Sequence, residues 1–447
     1  MTHHWYRCEI DRALLKSLSR RTNWHGLVYL LYFVLLLVIS GAWAVQSLGT
    51  PWSIPAFLIY GGIWVFATSV AHETSHGTAF RSRALNEAVL FISGFMVQQT
   101  PSLLRYVHAR HHSHTALVGE DPEIILTNPM TWRDFIIKEL IDLGSIWYFV
   151  KATAALAIGR PTRDAADCIP AQGMLRAVIE AQVYMLAYLG IILWSLTTQS
   201  WLPVLMLILP RLFGAPTHGV ILATQHFGMA QDIPDHRQTT RTMHVNPALR
   251  LLYWNMNYHV EHHMFPTVPY RNLPALHGEI RDDLPEPSPS TWAAYREIWT
   301  AARGQAAEPT FELDRVVPES VSSTIRAATS VDHGEWIDVC AVTDLAPGAM
   351  RSIDGSNGPI VVCRASSGEM HAVAGICSHS RRVQLVDGAI VGDELECPKH
   401  NGRFRLADGS PSRQPVTEGL ATYEVQIDTD RIRVRSVPNQ ASGSTPV

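Results

Sequence analysis

Apolar residues are gathered into long uncharged runs in the first half of the chain. No Asp, Glu, Lys or Arg occurs between Thr22 and His72, and none between Ala181 and Pro210. Gly49-Thr50-Pro51 interrupts the first run and Thr197-Thr198-Gln199-Ser200 the second. A bilayer-crossing helix needs about 20 apolar residues, so the first run is long enough for two spans, and the second covers a turn with most of one span and part of another beside it. The pattern predicts four, over about residues 26–45, 54–71, 175–196 and 201–224. Ala88–Val97 is too short to cross and reads as a re-entrant or interfacial helix, and Ile141–Ala157 as a helix on the membrane surface. Arg211 falls inside the fourth predicted span. It faces the protein interior or snorkels to the interface. The N-terminal segment, residues 1–22, carries Arg7, Arg12, Lys16, Arg20 and Arg21 against Glu9 and Asp11. The positive-inside rule keeps it cytoplasmic. The run behind it is too long for the core of a cleavable signal. An even number of spans returns the C-terminus to the same side, and the second span delivers His72 and His76 at its inner end.

Beyond residue 281 the pattern changes. Asp283-Leu284-Pro285-Glu286-Pro287-Ser288-Pro289-Ser290 is a proline-rich linker. Thr291–Arg303 has helical composition, and Ala306–Val331 is polar and poor in aromatics, as a flexible tether is. From about Glu335 the runs are short and β-rich, as in Trp336–Val339, Ile360–Cys363 and Ala372–Ala374. The expected architecture is an α-helical integral membrane domain followed by a small all-β domain. Its segments are a basic cytoplasmic segment (1–22), a membrane domain (23–281), a linker (282–334), a β domain (335–437) and a disordered tail (438–447).

Composition agrees with two unlike halves. Apolar residues make up 47% and charged ones 17%, yet mean hydropathy is only +0.04. A net charge of −4 shows no nucleic-acid footprint. Of the six cysteines, Cys8, Cys168, Cys340 and Cys363 are scattered as reduced thiols are, not spaced as a disulfide framework.

Histidine is where the chemistry gathers. The chain has 21, and eight fall in three short stretches. His72-Glu73-Thr74-Ser75-His76 places two at i, i+4. His108-Ala109-Arg110-His111-His112 and His259-Val260-Glu261-His262-His263 each place three at i, i+3, i+4. On a helix these positions share a face, so the imidazoles of one stretch can converge on one point. Imidazole suits iron, copper and zinc. Eight exceed the needs of one four-coordinate zinc and fit two ions with open positions for O2 and water.

These stretches, in this order and separated by apolar spans, resemble the three histidine boxes of the membrane fatty acid desaturase and alkane hydroxylase superfamily, over roughly residues 22–280. The resemblance implies a non-haem di-iron site that uses O2 and two electrons on an unactivated C–H bond. Gln225-His226-Phe227-Gly228 is similar to the His-aromatic-Gly motif that supplies a further ligand in the alkane hydroxylase branch. The implied metal and catalytic set is His72, His76, His108, His111, His112, His226, His259, His262 and His263. His114 lies off the shared face of its stretch and reads as a surface or supporting residue. His218 and His244 read as helix-end histidines or as donors behind the ligands. Metal-bound imidazoles usually give their other N–H to a carboxylate or carbonyl, for which Glu73, Glu120, Asp121, Asp235 and Glu261 are candidates. No Glu lies within the shared histidine faces, unlike the soluble carboxylate-rich di-iron class.

In the β region, Cys377-Ser378-His379 is followed by Cys397-Pro398-Lys399-His400. Two thiolates on one iron and two imidazoles on the other hold a [2Fe–2S] cluster of Rieske type. A zinc ribbon is the alternative use of these four residues, although it usually wants C-x-x-C pairs. The stretch resembles a Rieske ferredoxin over about residues 335–437. Ser378 and Arg381 stand near where respiratory Rieske proteins carry an extra disulfide, so the ferredoxin or oxygenase type is the better match. That type implies a comparatively low potential, with His379 and His400 at the exposed end of the cluster. The chain has no G-x-G-x-x-G fingerprint, so NAD(P)H acts only indirectly, through a separate ferredoxin reductase.

The combined expectation is a membrane-bound, O2-dependent oxidoreductase of desaturase or hydroxylase type, fed by its own cluster. Its partners are O2, a lipid or other C–H substrate and the bilayer, a bacterial inner membrane with the boxes and cluster on the cytoplasmic side. Alternatives are a monooxygenase of a small methylated compound, a redox- or metal-sensing membrane protein, and a zinc hydrolase in the histidine site.

Overall fold

The computed structural model describes residues 5–123, 129–313, 315–318, 336–355, 358–379, 383–399 and 401–439. The chain divides into a helical unit, Trp5–Glu319, and a β unit within Ser320–Val447. His400, the tether from residue 319 to Val331 and the tail from residue 440 lie outside the described residues.

Among the described residues, three helices of the helical unit are long and apolar enough to cross a membrane: Asn23–Gln46, Ser53–His76 and Ala171–Thr197. The second is jointed at Val65–Phe66, between Ser53–Trp64 and Ala67–His76. A pair bent by 46°, Trp132–Lys138 with Leu143–Ala157, meets the same criterion if taken as one span. The outward faces of the first and third helices are apolar, with Leu31, Val38, Ile39, Leu186 and Leu193 all exposed. Leu143–Ala157 packs Ala152 and Leu156 against Ala177 and Ala181 of Ala171–Thr197 and Leu103 of the second histidine helix.

The expected fourth span is not a continuous helix. Residues 202–226 form three short helices, Leu202–Leu207, Pro210–Phe213 and Ala215–His226. Each has a proline in its first turn, namely Pro203, Pro210 and Pro216. Proline lacks the N–H that would continue a preceding helix, so each one starts a new short helix. The broken stretch lies along Ser53–Trp64. A side chain at Gly61 would meet the Gly214 backbone nitrogen at 2.6 Å, and the Tyr60 hydroxyl donates to the Met206 carbonyl at 3.0 Å. Arg211 faces inward. It is 2% exposed and pairs with Asp142, itself buried and left-handed at φ 52° after the π-helical turn Ile136–Ile141.

The stretch marked by its prolines as linker packs onto the helical unit as far as Pro318. Ser288 is buried and its backbone N–H donates to the Thr242 carbonyl. Helix Thr291–Ala307 buries Ile298 and Ala302 against Ala223, one turn before His226. Arg315 donates to the carbonyls of Thr240 and Glu286. The alanine-rich, small-residue face of this helix lets it approach closely, a packing signal that composition alone reads as linker.

The β unit holds two antiparallel sheets. One runs in spatial order Trp336–Ala341, Arg431–Pro438, Thr422–Asp428, Met370–Ala374, Gly358–Arg364 and Met350–Gly355. The other runs in sequence order Ala389–Val391, Glu394–Glu396, Arg403–Arg405 and Pro411–Arg413. Alternation in the first sheet buries Ile432 and Val434 while Arg431, Arg433 and Arg435 face outward. Among the described residues no disulfide occurs.

Ile298→Ala should lower the stability of the helical unit by about 2–5 kcal/mol, because the site cannot collapse around the lost atoms. A lower unfolding midpoint of the helical unit, with unchanged visible absorbance from the β unit, is the expected result. An unchanged midpoint would return residues 291–307 to the status of a linker.

Candidate functional site

All nine histidines singled out in the sequence meet at one end of the helical unit. His72 and His76 end the helix Ala67–His76, which stops at Gly77 in the left-handed region, φ 69°. His108, His111 and His112 lie on Pro101–His114. Glu180 receives the Ser102 N–H of that helix at 2.7 Å, placing a carboxylate at its positive end. His259, His262 and His263 sit on the short helix His259–Met264, entered through left-handed Trp254 and Asn255. His226 is the last residue of Ala215–His226.

The nine form two groups. In the first, one ring nitrogen each from His72, His76, His108, His112 and His262 lies within 4.8 Å of all the others. His111, His226 and His263 satisfy the same criterion in the second. His259 joins these, its Nε2 being 3.1 Å from that of His226 and 3.2 Å from that of His263. The expectation that each stretch converges on one point is therefore corrected. In every stretch the i, i+4 pair goes to one group, as His72 with His76, His108 with His112 and His259 with His263. The i+3 histidine goes to the other: His111 leaves the first group and His262 leaves the second. At about 100° per residue, i and i+4 differ by about 40° around the axis, while i+3 and i+4 differ by about 100°.

The donor sets fit two metal ions. Nε2 atoms of His76 and His108, and of His108 and His112, are 3.0 Å apart. Imidazole nitrogens bound at about 2.1 Å at right angles around one ion are separated by about 3.0 Å. Both ring nitrogens of His72 and of His262 are buried without a hydrogen-bond partner. Seven of the nine imidazoles are no more than 5% exposed. Burial, reinforced by repulsion among neighbours, holds His112, His259, His262 and His263 well below the usual histidine range. These rings are neutral, the ligating form. Among the described residues both groups contain imidazole only, with no bridging carboxylate.

A family model of fatty acid desaturases matches residues 49–295, more than half of the chain. The chain belongs to the fatty acid desaturase family. A Rieske [2Fe-2S] domain model matches residues 335–424, so a desaturase-family domain and a Rieske domain are fused in one chain. Similar proteins include Ferredoxin CarAc of Metapseudomonas resinovorans, 32% identical over 22% of this chain and 92% of that protein. The ferredoxin component of naphthalene 1,2-dioxygenase/salicylate 5-hydroxylase systems of Ralstonia sp is 31% identical over 22% of this chain and 94% of its own. Among solved structures, the complex of reduced oxygenase and oxidized ferredoxin in carbazole 1,9a-dioxygenase matches at 30% identity, covering 23% of this chain and 95% of the matched one, with a TM-score of 0.22.

Around the desaturase-family histidines, Nδ1 partners orient the rings. His111 Nδ1 donates to Asp121 at 2.8 Å, and His108 Nδ1 lies 3.1 Å from Glu123. His226 Nδ1 meets the Thr239 carbonyl and His263 Nδ1 the Thr115 hydroxyl, each at 3.1 Å. Burial opposes charge on His111, but the Asp121 and Glu123 carboxylates outweigh it and push it up to about 9. Of the five candidate acids only Asp121 reaches a clustered imidazole. Glu73 instead accepts from Thr78 and from the Tyr270 N–H, and Glu261 from Thr242 and His277, so both tie their helices to neighbouring chain. Asp235 pairs with Arg237, and Glu120 is exposed beside His114. His218 lies near Asp142, away from both groups, and His244 is exposed. Gly228 explains the Gly of its motif. It is left-handed at φ 71°, and a Cβ there would lie 2.9 Å from the Ala301 Cβ.

Sequence reasoning missed Glu123, His236 and Arg241. Glu123 follows Asp121 by two residues, the one local signal available for it. Arg241 is 1% exposed and donates to the carbonyls of Thr224 and Phe227, clasping the helix end that carries His226.

In the Rieske domain, Cys377 follows strand Met370–Ala374 and Cys397 follows Glu394–Glu396. Both are 1% exposed and share an apolar cluster with Leu385, Leu395 and Phe404, whereas His379 is exposed. The Cys397 N–H donates to the Gly402 carbonyl at 2.8 Å, closing the second loop. Two buried thiols beside an outward imidazole fit a cluster whose histidine side faces a partner.

Asp121→Asn and Glu123→Gln should each weaken metal retention in the histidine groups by about 10–100-fold, the usual effect of losing an acid behind a ligand. Glu120→Gln should have none. Iron content after a timed chelator challenge, with cluster absorbance as the internal reference, reads the difference; equal loss in all three would remove the two acids from this role.

Proposed function

We propose that this protein is a membrane-embedded, O2-dependent oxidoreductase that acts on C–H bonds, with two non-haem irons in its histidine groups and electrons delivered by its own Rieske cluster. The observation that carries this reading is the fusion itself, a two-group all-histidine site and a one-electron carrier in the same chain. A bound iron pair would supply O2 activation, which consumes two electrons per turnover. His72, His76, His108, His112 and His262 would hold one iron, and His111, His226, His259 and His263 the other. The desaturase-family domain keeps His112, His259, His262 and His263 neutral, fixes the direction of neighbouring rings through Asp121, Glu123, Thr239 and Thr115, and shields the groups from water. Cys377, His379, Cys397 and His400 would hold the [2Fe–2S] cluster. Similar ferredoxins carry names from dioxygenase systems, which supports an electron-donor role. Fusion would raise the effective concentration of that donor.

The three long apolar helices, with their exposed Leu, Ile and Val, support insertion in a bilayer, since so much apolar surface is not tolerated in water. The broken stretch 202–226 would complete an even number of crossings, and the basic N-terminal segment favours the cytoplasmic side. A lipid is the first substrate class to test. A small methylated compound is the second.

Purified protein should contain four irons and two acid-labile sulfides per chain, the count for a di-iron site plus one [2Fe–2S] cluster. His262→Ala should abolish product formation and leave the Rieske absorbance intact. Zinc in place of the two histidine-site irons, or full turnover of His262→Ala, would sink the reading. A chain ending before Glu335 should insert and bind iron yet lose reductase-driven turnover, regaining part of it when the Rieske domain is added in trans. A reporter fused after Val447 should read as cytoplasmic; a periplasmic reading would overturn the proposed topology.

A further inference from the structure

The histidine groups are buried, so a donor that stays at the surface needs a path to them. One contiguous chain of rings leads inward. The Trp5 indole, partly exposed, stacks on His236 with centroids 4.3 Å apart and planes 13° from parallel. His236 is 3% exposed, and its ring lies 5.3 Å from that of His263. The His263 ring stacks in turn on His112, at 4.2 Å and 18°. His263 belongs to the second histidine group and His112 to the first, so the same path reaches both.

The segment carrying Trp5 is pinned in place. Trp5 Nε1 donates to the Ser113 carbonyl at 3.0 Å, one residue beyond His112. The Tyr6 N–H donates to the Pro234 carbonyl at 2.9 Å and its hydroxyl to Asp283, and the Arg237 guanidinium covers its ring at 3.4 Å. Arg7 lies over the Phe265 ring, and the Cys8 N–H points to Met264 Sδ. So many anchors on four residues exceed what a loose N-terminal segment needs, and they set one indole against one imidazole beside a ligand.

We propose that Trp5 and His236 form the electron-transfer path into the histidine groups. This rests on the reading that the chain's Rieske cluster is the donor. In each event one electron leaves the reduced cluster and tunnels past the indole and the His236 imidazole to the metal held by His263. The cluster is oxidised and that metal reduced. No bond is made or broken, no proton moves, and neither ring holds the electron as a radical. Two events supply the two electrons of a turnover.

The test uses the full chain, loaded with iron, under anaerobic conditions and without substrate. Flash photoreduction places one electron on the cluster, and visible absorbance with freeze-quench EPR follows its reoxidation. In the parent protein the reduced signal should decay as the electron moves on. Trp5→Leu should slow that decay by at least about tenfold, a factor of ten being a change large enough to read, with iron content and cluster spectrum unchanged. Trp5→Phe keeps a ring in the stack and should decay close to the parent rate. His236→Leu breaks the second link and is read in the same way if Trp5→Leu loses iron. Parent-like decay in an iron-replete leucine variant would overturn the path while leaving the donor reading standing. A cluster that stays reduced in the parent would overturn the donor reading, and the path with it.

Discussion

On a helix that turns about 100° per residue, histidines at i, i+3 and i+4 spread over an arc of about 100°, and the desaturase-family domain divides them between two groups. Each i, i+4 pair enters one group and each i+3 ring crosses to the other. His262 leaves its own helix-mates to complete the group of His72, His76, His108 and His112, while His111 moves the opposite way. No single helix makes a site. Each group needs rings from at least three segments, so the donor sets exist only when the helices are packed in their final places.

That dependence explains the polar residues buried between the histidine helices. Glu73 and Glu261 stand inside their boxes, yet neither meets a clustered imidazole. Glu73 receives the N–H of Tyr270, joining the first box to the chain after the third. Glu261 receives Thr242 and His277, holding the third box against its flanking segments. Arg241 clasps the carbonyls that end the His226 helix, and Glu180 receives the first turn of the second box helix. Buried charges of this kind add little net stability, but they penalise any arrangement that leaves one unpaired. Here they fix how four helix ends meet. The segment after residue 282 takes part as well, because Ile298 and Ala301 close over the His226 turn at Gly228.

The Rieske domain follows a different logic. Its two cysteines are buried in an apolar cluster on adjoining loops, whereas His379 faces outward. The thiolate side is sheltered and the imidazole side is presented, as suits a carrier that must be approached. The helical domain does the opposite, burying its clustered imidazoles away from water. On the proposed function, joining the two in one chain would make donor supply independent of the concentration of a separate ferredoxin.

Much of this was legible in the residues alone. The three boxes, the paired Cys-His spacing of the β region and the division into helical and β parts follow from spacing and periodicity, because local chemistry at short range leaves a local trace, whereas His226 entered through the resemblance of its His-aromatic-Gly motif. The uncharged runs likewise marked Asn23–Gln46, Ser53–His76 and Ala171–Thr197. The prolines at 203, 210 and 216 were visible, but hydropathy averages over them, so a broken stretch reads as one span. What required the tertiary structure is everything set by contacts distant in sequence. Which histidine joins which group depends on how helices cross. Arg211 faces inward because Asp142 is there to meet it. His236 matters because Trp5, more than two hundred residues earlier, folds onto it. Glu123 rather than Glu120 supports an imidazole because the turn after the second box points one acid inward and the other to solvent. A pattern along the chain records which residues can ligate, and only packing decides what each one faces.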